Sequence, residues 1–184
     1  MEYLILELDE AYIAPRPLKW LDKLDVRFLQ DKKHYEIPQR MIFQIEKHMQ
    51  MVWTDIIMHP CFMVSQEARN TIRMYDPSVR FLRVIFSDKE TRQSKAYYMP
   101  FLTEINALTP NSELNTNKSI IYHAEVDGSK MKNRAIAKIG NITKHNGVLI
   151  RSDLAESLLS GDLIGIGLKE TNTVMPKSME RSKL

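Results

Sequence analysis

The alternation of hydrophobic and polar positions predicts short β-strands in the first third of the chain. An apolar run predicts a strand at 3–8, and partial alternation predicts another at 35–46, where Pro38 indicates an edge or a break. A third short strand is predicted at 55–58. Residues 12–31 are rich in Lys, Asp and Pro, and they predict a surface connection.

Two later segments have the pattern of short capped helices. Ser65 and Ser152 are the predicted N-caps, and apolar residues at helical spacing after them predict helices over 66–75 and 153–160, the second ending at Gly161. Because each helix has only two to three turns, its stability must come from packing an apolar face against a sheet.

The strands that surround these helices are predicted as two hairpins and two single strands. The hairpins join 79–86 with 94–102, and 119–125 with 134–139 around Asp127 and Gly128. Apolar runs at 148–150 and 163–168 flank the second helix, and the polar stretch 106–118 predicts an exposed loop.

The order of short strand, Ser-capped helix and strand therefore occurs twice, with Ile72 and Leu158 predicted at the core-facing positions of the two helices. These elements predict a single compact α+β domain with a mostly antiparallel sheet and two principal short helices. We divide it into N-terminal strands and a connection at 1–50, a main unit at 51–170, and a frayed tail at 171–184 that lacks apolar periodicity.

Composition and charge narrow the class of protein. Hydrophobic residues are 43% and charged residues 27% of 184, a globular mix that disfavours disorder and a large multidomain enzyme. The formal net charge of +3 indicates no partner, and the single cysteine rules out an internal disulfide scaffold. The acidic N-terminus does not resemble a signal peptide, and no apolar segment approaches the ~20 residues that span a bilayer. We therefore expect a cytoplasmic protein without a membrane partner.

Residues that could support catalysis or metal binding do not form a recognisable motif. The chain has no nucleophile elbow, phosphate-binding loop or zinc-protease helix. His123 and Glu125 share one face of a predicted strand but supply only two metal ligands. Cys61 follows a His-Pro pair, yet we expect burial rather than an activated thiol, and the closely spaced Gly165 and Gly167 predict tight packing or a bulge rather than a phosphate site. We therefore predict no catalytic residues, cofactor or metal.

Two other stretches suggest binding surfaces. Five of the eleven methionines, at 41, 49, 51, 58 and 63, crowd around Trp53 and Ile56, where they form either an adaptable protein-binding patch or an irregular core. Five cations lie between 130 and 144, against one nearby acid at Asp127, and His145 adjoins the run. Such a run is typical of a solvated β-face, and an acidic protein is the next option. Nucleic acid is disfavoured as a partner because no aromatic residues are interleaved for base stacking.

A resemblance to a known family emerges from the order of these motifs over about 55–170. The matching residues are Pro60-x-Phe62-Met63-Val64-Ser65, a strand with Phe86, a hairpin with Tyr97-Tyr98, Ile120-Ile121-Tyr122, Gly147-Val148-Leu149-Ile150-x-Ser152-x-Leu154-x-x-x-Leu158, and Leu163-Ile164-Gly165-Ile166. This order resembles that of bacterial polymorphic-toxin immunity proteins, formerly filed as a domain of unknown function. Arg151 departs from the family pattern, which usually runs directly from strand to serine.

The resemblance implies a non-enzymatic cytoplasmic protein that binds a cognate effector toxin and neutralises it by stoichiometric occlusion. We predict that the contact uses the Met-rich segment, through Met49, Met51, Trp53, Ile56 and Met58. Two alternatives remain open, an enzyme with a dispersed active site and a nucleic-acid-binding accessory protein that uses 130–145. The sequence does not predict the identity of the toxin or the oligomeric state.

Overall fold

The computed structural model describes residues 1–20, 40–46, 49–142 and 147–175. These residues form an α+β fold with two α-helices and many short strands that pair mostly antiparallel, as predicted. Three predicted features lie partly or wholly outside the described residues: residues 35–39 of the strand predicted at 35–46, residues 21–31 of the connection predicted at 12–31, and Lys144 and His145 of the basic run. No helix of the described ranges is long and apolar enough to cross a membrane.

Most strands are short, and the longest have six or seven residues. In chain order the elements are β1 (Tyr3–Leu8), β2 (Arg16–Pro17), β3 (Arg40–Glu46), β4 (Ile56–Ile57), β5 (Met63–Val64), α1 (Gln66–Tyr75), β6 (Phe81–Ser87), β7 (Ser94–Pro100), β8 (Glu104–Ile105), β9 (Glu113–Leu114), β10 (Ile121–His123), β11 (Glu125–Asp127), β12 (Ile136–Ile139), β13 (Val148–Arg151), α2 (Ser152–Leu159), β14 (Ile166–Glu170) and β15 (Asn172–Val174).

The two large sheets repeat one arrangement of strands. The six-stranded sheet has the order β2-β3-β6-β7-β5-β4, and the five-stranded sheet has the order β14-β1-β13-β12-β8. In each sheet, two consecutive antiparallel strands are followed by a helix and then by a third strand. A fourth strand lies between the third strand and the pair, and it is antiparallel to both of its neighbours. We call these parts unit one (β4-β5-α1-β6-β7) and unit two (β12-β13-α2-β14-β1).

The fourth strand of unit two comes from the start of the chain. In unit one β7 follows β6 directly through a turn, whereas in unit two the equivalent position between β13 and β14 is taken by β1. Strand β3 likewise pairs with β6 of unit one. Strands β1 and β3 therefore place described parts of the segment 1–50 in both large sheets.

The two helices pack together in a central core. Ile72 of α1 and Leu158 of α2 are fully buried, which confirms their predicted positions, and the Tyr75 hydroxyl lies 2.5 Å from the Ser157 hydroxyl across the helix pair. Two further apolar clusters lie on the opposite faces of the large sheets, one under β3, β6 and β7 and the other under β1, β12 and β13. Each large sheet therefore packs apolar side chains on both of its faces.

Helix α1 begins and ends at the predicted residues. The Ser65 hydroxyl accepts the Ala68 N–H at 3.2 Å, which confirms the predicted N-cap. The prediction of Ser152 as an N-cap is wrong, because it is the first residue of α2 and the cap position is Arg151. There the Arg151 guanidinium binds both carboxylate oxygens of Asp153, at 2.7 and 2.8 Å, at the N-terminus of the helix.

The first predicted hairpin is confirmed by the antiparallel pair β6 and β7, but the second is wrong. The Asp127 carboxylate accepts the Ser129 N–H at 3.1 Å and caps a 3-10 turn over Gly128–Met131, which directs the chain away from the preceding strand. Consequently β10 pairs with β9, and β12 pairs with β13 and β8. The loop predicted at 106–118 also contains the two-residue strand β9.

The first residues of the predicted frayed tail are ordered instead. Strand β15 pairs in parallel with β11, and the Thr173 hydroxyl accepts the Tyr3 N–H at 3.0 Å. The Thr171 hydroxyl donates to the Tyr3 carbonyl at 2.6 Å. Because polar contacts hold this segment, the hydrophobic periodicity of the sequence does not predict it.

Candidate protein-binding surface

The segment 49–55 crosses from the N-terminal region to β4 and is held along its backbone. Met51 forms an isolated parallel bridge with Ile13, and the Val52 N–H donates to the Ile13 carbonyl at 2.9 Å. The Tyr97 hydroxyl donates to the Thr54 carbonyl at 2.8 Å. Burial, with a smaller contribution from the nearby carboxylate of Asp55, raises the pKa of Tyr97, so this hydroxyl stays protonated and remains a donor.

Trp53 is fixed from both of its ends. Its indole N–H donates to the Gln93 side-chain oxygen at 3.2 Å, and its carbonyl accepts from the Lys95 ammonium at 3.2 Å. Part of the ring packs against the apolar cluster under the six-stranded sheet, and the rest reaches solvent. These contacts favour a single orientation of the indole before any partner arrives.

Asp55 joins this segment to unit two. Its N–H donates to the Ile164 carbonyl at 2.7 Å, and its carboxylate accepts the Ile164 N–H at 2.7 Å. The other carboxylate oxygen lies 3.5 Å from the Lys95 ammonium. The three groups therefore form a compact junction between the start of β4 and the residues that precede β14.

Gly165, next to this junction, has no space for a side chain. Its φ is +86°, and an added Cβ would lie 2.8 Å from the Thr54 methyl carbon. At Gly167 an added Cβ would lie 2.8 Å from the Asp9 backbone nitrogen. The prediction that these glycines serve close packing is confirmed, and the packing sets unit two against the segment that carries Trp53.

Exposed apolar side chains lie on the segment that carries Trp53 and at Ile164, which is hydrogen-bonded to that segment through Asp55. Met49 is 99% exposed and Val52 is 36% exposed, and Ile164 is 40% exposed beside Asp55. An open hollow of about 430 Å³ lies against Trp53 and is lined also by Gln93, Ser94 and Lys95. We call Met49, Val52, Trp53, Lys95 and Ile164 the Trp53 surface.

The structure separates the five side chains that the sequence predicts as one contact. Met49 is exposed, whereas Met51 and Trp53 are partly buried against the cluster under the six-stranded sheet. Ile56 is 0% exposed in the central core and cannot touch a partner in this fold, so the prediction that it belongs to the contact is wrong. Met58 packs on the same core and lines a different cleft, of about 290 Å³.

The error at Ile56 has a physical cause. Strand β4 is covered on both faces, so Ile56 faces the central core while its neighbour Ile57 faces the cluster under the six-stranded sheet. Sequence reasoning also missed Val52, Lys95 and Ile164. Val52 is apolar and adjacent to Trp53, so the sequence did contain a signal for it. Lys95 and Ile164 lie far from Trp53 in sequence, so no local pattern could have identified them.

The remaining candidate sites lack a reactive arrangement. Cys61 is buried against Met99, and burial raises the pKa of its thiol to about 12, which confirms the predicted burial. His123 and Glu125 fall on separate strands, β10 and β11, with buried Ala124 between them. Among the described residues no group of three His, Cys, Asp or Glu side chains is placed to hold a metal ion.

The basic run is partly engaged within the protein. The Lys130 ammonium donates to the Asn106 carbonyl at 3.0 Å and lies 3.9 Å from Asp127. Lys138 forms an ion pair with Glu104 at 3.1 Å. These two cations therefore already have partners that an incoming phosphate would have to displace.

No protein-family model matches the chain, and no curated protein matches it either.

Proposed function

We propose that this protein is a cytoplasmic immunity protein that binds an effector toxin and neutralises it by occlusion. The observation that carries the proposal is the Trp53 surface, in which a half-buried tryptophan is hydrogen-bonded through its indole N–H and its carbonyl. Exposed Met49 and Val52 lie on the same segment, and exposed Ile164 is hydrogen-bonded to Asp55, two residues after Trp53. The motif order described above, which resembles toxin immunity proteins, supports the same function.

The physical properties of this surface suit a tight interface. Tryptophan is enriched among residues that dominate binding energy, and a side chain already held in place loses little conformational entropy on binding. Flexible Met49 can adapt to the shape of a partner. Occlusion of a toxin requires only such a surface and no catalytic group of this chain.

The two alternative functions receive less support from the same residues. A nucleic-acid-binding role would use the run at 130–145, yet Lys130 and Lys138 are paired within the fold. An enzymatic role has no specific observation in its favour.

The proposal is tested by co-purification with the protein encoded by the adjacent gene. Alanine variants of Trp53 and Met49 should weaken the complex, with Met74→Ala as a matched control because Met74 is an equally apolar, 74% exposed side chain on α1. We expect Trp53→Ala to weaken binding by at least about 2 kcal/mol, roughly 30-fold in Kd. Met49→Ala should have a smaller effect, and Met74→Ala should bind as the unaltered protein does.

Thermal unfolding of each variant separates binding from folding. Because Trp53 also packs on the core, Trp53→Phe is included to retain most of the ring packing while removing the indole N–H. A failure of the adjacent gene product to bind would refute the proposed partner. Unchanged binding by a folded Trp53→Ala variant would exclude this surface as the contact.

A further inference from the structure

The two units have the same arrangement of strands but differ at one edge of their sheets. In unit one the outer edge of β6 pairs in parallel with β3, from Arg40↔Arg83 to Gln44↔Ser87. The equivalent strand of unit two is β14, and it is the last strand of its sheet within the described residues. Among the described strands, β6 therefore has a parallel neighbour at its outer edge and β14 has none.

The hydrogen bonding of β14 identifies which backbone groups face the open edge. The Asp9 N–H donates to the Gly165 carbonyl at 3.1 Å, in line with the antiparallel register Glu7↔Gly167 and Ile5↔Lys169. Because hydrogen-bonded residues alternate along an antiparallel pair, odd-numbered residues of β14 bond to β1. Even-numbered residues therefore direct their N–H and C=O groups outward.

Both ends of this outward row are already paired. Before β14, Ile164 exchanges hydrogen bonds with Asp55, and after it the Asn172 N–H donates to the Ala124 carbonyl at 2.8 Å. Between them the outward groups belong to Ile166, Leu168 and Glu170, and β14 pairs only with β1 among the described strands. The open stretch spans five residues, or about 17 Å of extended chain.

We propose that this edge binds an extended segment of the toxin, which adds a strand parallel to β14 as β3 does to β6. This inference rests on the proposed function and specifies how the partner is held. Strand addition satisfies the outward N–H and C=O groups and supplies affinity that depends little on the side chains of the partner.

The surroundings of the edge define what that segment must be. On one face Ile166 and Leu168 pack on the central core, so alternate side chains of the added strand should be apolar. The length is limited to about five residues, because Asp55 and Ala124 occupy the positions at the two ends.

The open edge adjoins the Trp53 surface. Ile164 belongs to that surface and lies two residues before Ile166, the first open position of the edge, and Asp55, its hydrogen-bond partner, lies two residues after Trp53. One partner can therefore place an apolar contact on Trp53 and an extended segment along β14.

The test measures amide hydrogen exchange in the free protein and in its complex with the adjacent gene product. In the free protein the amides of Ile166, Leu168 and Glu170 should exchange fast, whereas those of Gly167 and Lys169 should exchange slowly. In the complex the three fast amides should become at least tenfold slower.

Two variants at one exposed position test the same bond. Glu170→Pro removes an outward N–H that pairs with no described strand, whereas Glu170→Ala keeps it. We expect the proline variant to bind at least tenfold more weakly than the alanine variant, with similar thermal stability. If the proline variant unfolds, the exchange measurement alone decides.

The outcomes distinguish the two proposals. If a complex forms but the three amides still exchange fast, or the two variants bind equally, strand addition is wrong and the immunity function stands. Slow exchange at these positions in the free protein would show that the edge is not open and would also refute it. If no complex forms, the proposed function fails and the edge proposal fails with it.

Discussion

Replacing Asp55 by alanine should weaken the junction between the two units. The substitution leaves the Ile164 N–H without its acceptor at 2.7 Å and removes the carboxylate that faces Lys95 at 3.5 Å. The Asp55 side chain is only 11% exposed, so water replaces these contacts poorly. A hydrogen bond to a charged group contributes about 1.5–3 kcal/mol, and we expect a loss of about 2–3 kcal/mol in the free energy of unfolding.

Urea denaturation measures this loss, with Asp55→Asn as the matched control. Asparagine retains an oxygen that can accept the Ile164 N–H, so its cost should be at least about 1 kcal/mol smaller. Amide exchange at Ile164 should accelerate in the alanine variant only. Equal losses in both variants, or a loss below about 0.5 kcal/mol for alanine, would show that this hydrogen bond does not hold the units together.

Two further predictions concern the helices. Ile72→Ala and Leu158→Ala should each lower the unfolding free energy by about 2–5 kcal/mol, because both side chains are fully buried, whereas alanine at the exposed Leu159 should cost less than about 1 kcal/mol; equal thermal midpoints would refute the assigned faces. The hydrogen bonds from Arg151 lower the pKa of Asp153, so its contribution to stability should be present above about pH 4 and should disappear as the pH falls through the lowered value. Urea titrations of Asp153→Asn should therefore show a stability deficit at pH 6 that shrinks at pH 3, and a constant deficit would contradict the assignment.

Elements with a local signal were predictable from sequence. Strand β1 and helix α1 have the predicted bounds, because an uninterrupted apolar run and a Ser cap with helical spacing are encoded within a few residues. The hairpin of β6 and β7 was predictable for the same reason, since its strands are joined by a short charged turn.

Features that depend on distant partners were not predictable. The pairing of β15 with β11 is accompanied by hydroxyl contacts to Tyr3, more than 160 residues away in sequence. The cap of α2 was misassigned by one residue, because the helix already begins at Ser152 and Arg151, which forms an ion pair with Asp153, holds the cap position. At the candidate site, Trp53 was identified by residue type, whereas the burial of Ile56 depends on the docking of both helices.

The repeat of the two units explains why the candidate surface has no signature in either one. Within each unit, the strand pair, the helix and the strand after it follow a hydrophobic pattern that predicts them from sequence. The surface arises where the units meet, because Asp55 precedes β4 of unit one and hydrogen-bonds to Ile164 ahead of β14 of unit two. Strand β1 lies between β13 and β14, so the first strand of the chain is paired with the strand that follows this junction. A binding surface at such a junction depends on the packing of both units. Variants that loosen the junction at Asp55 should therefore weaken partner binding even though Asp55 itself is buried.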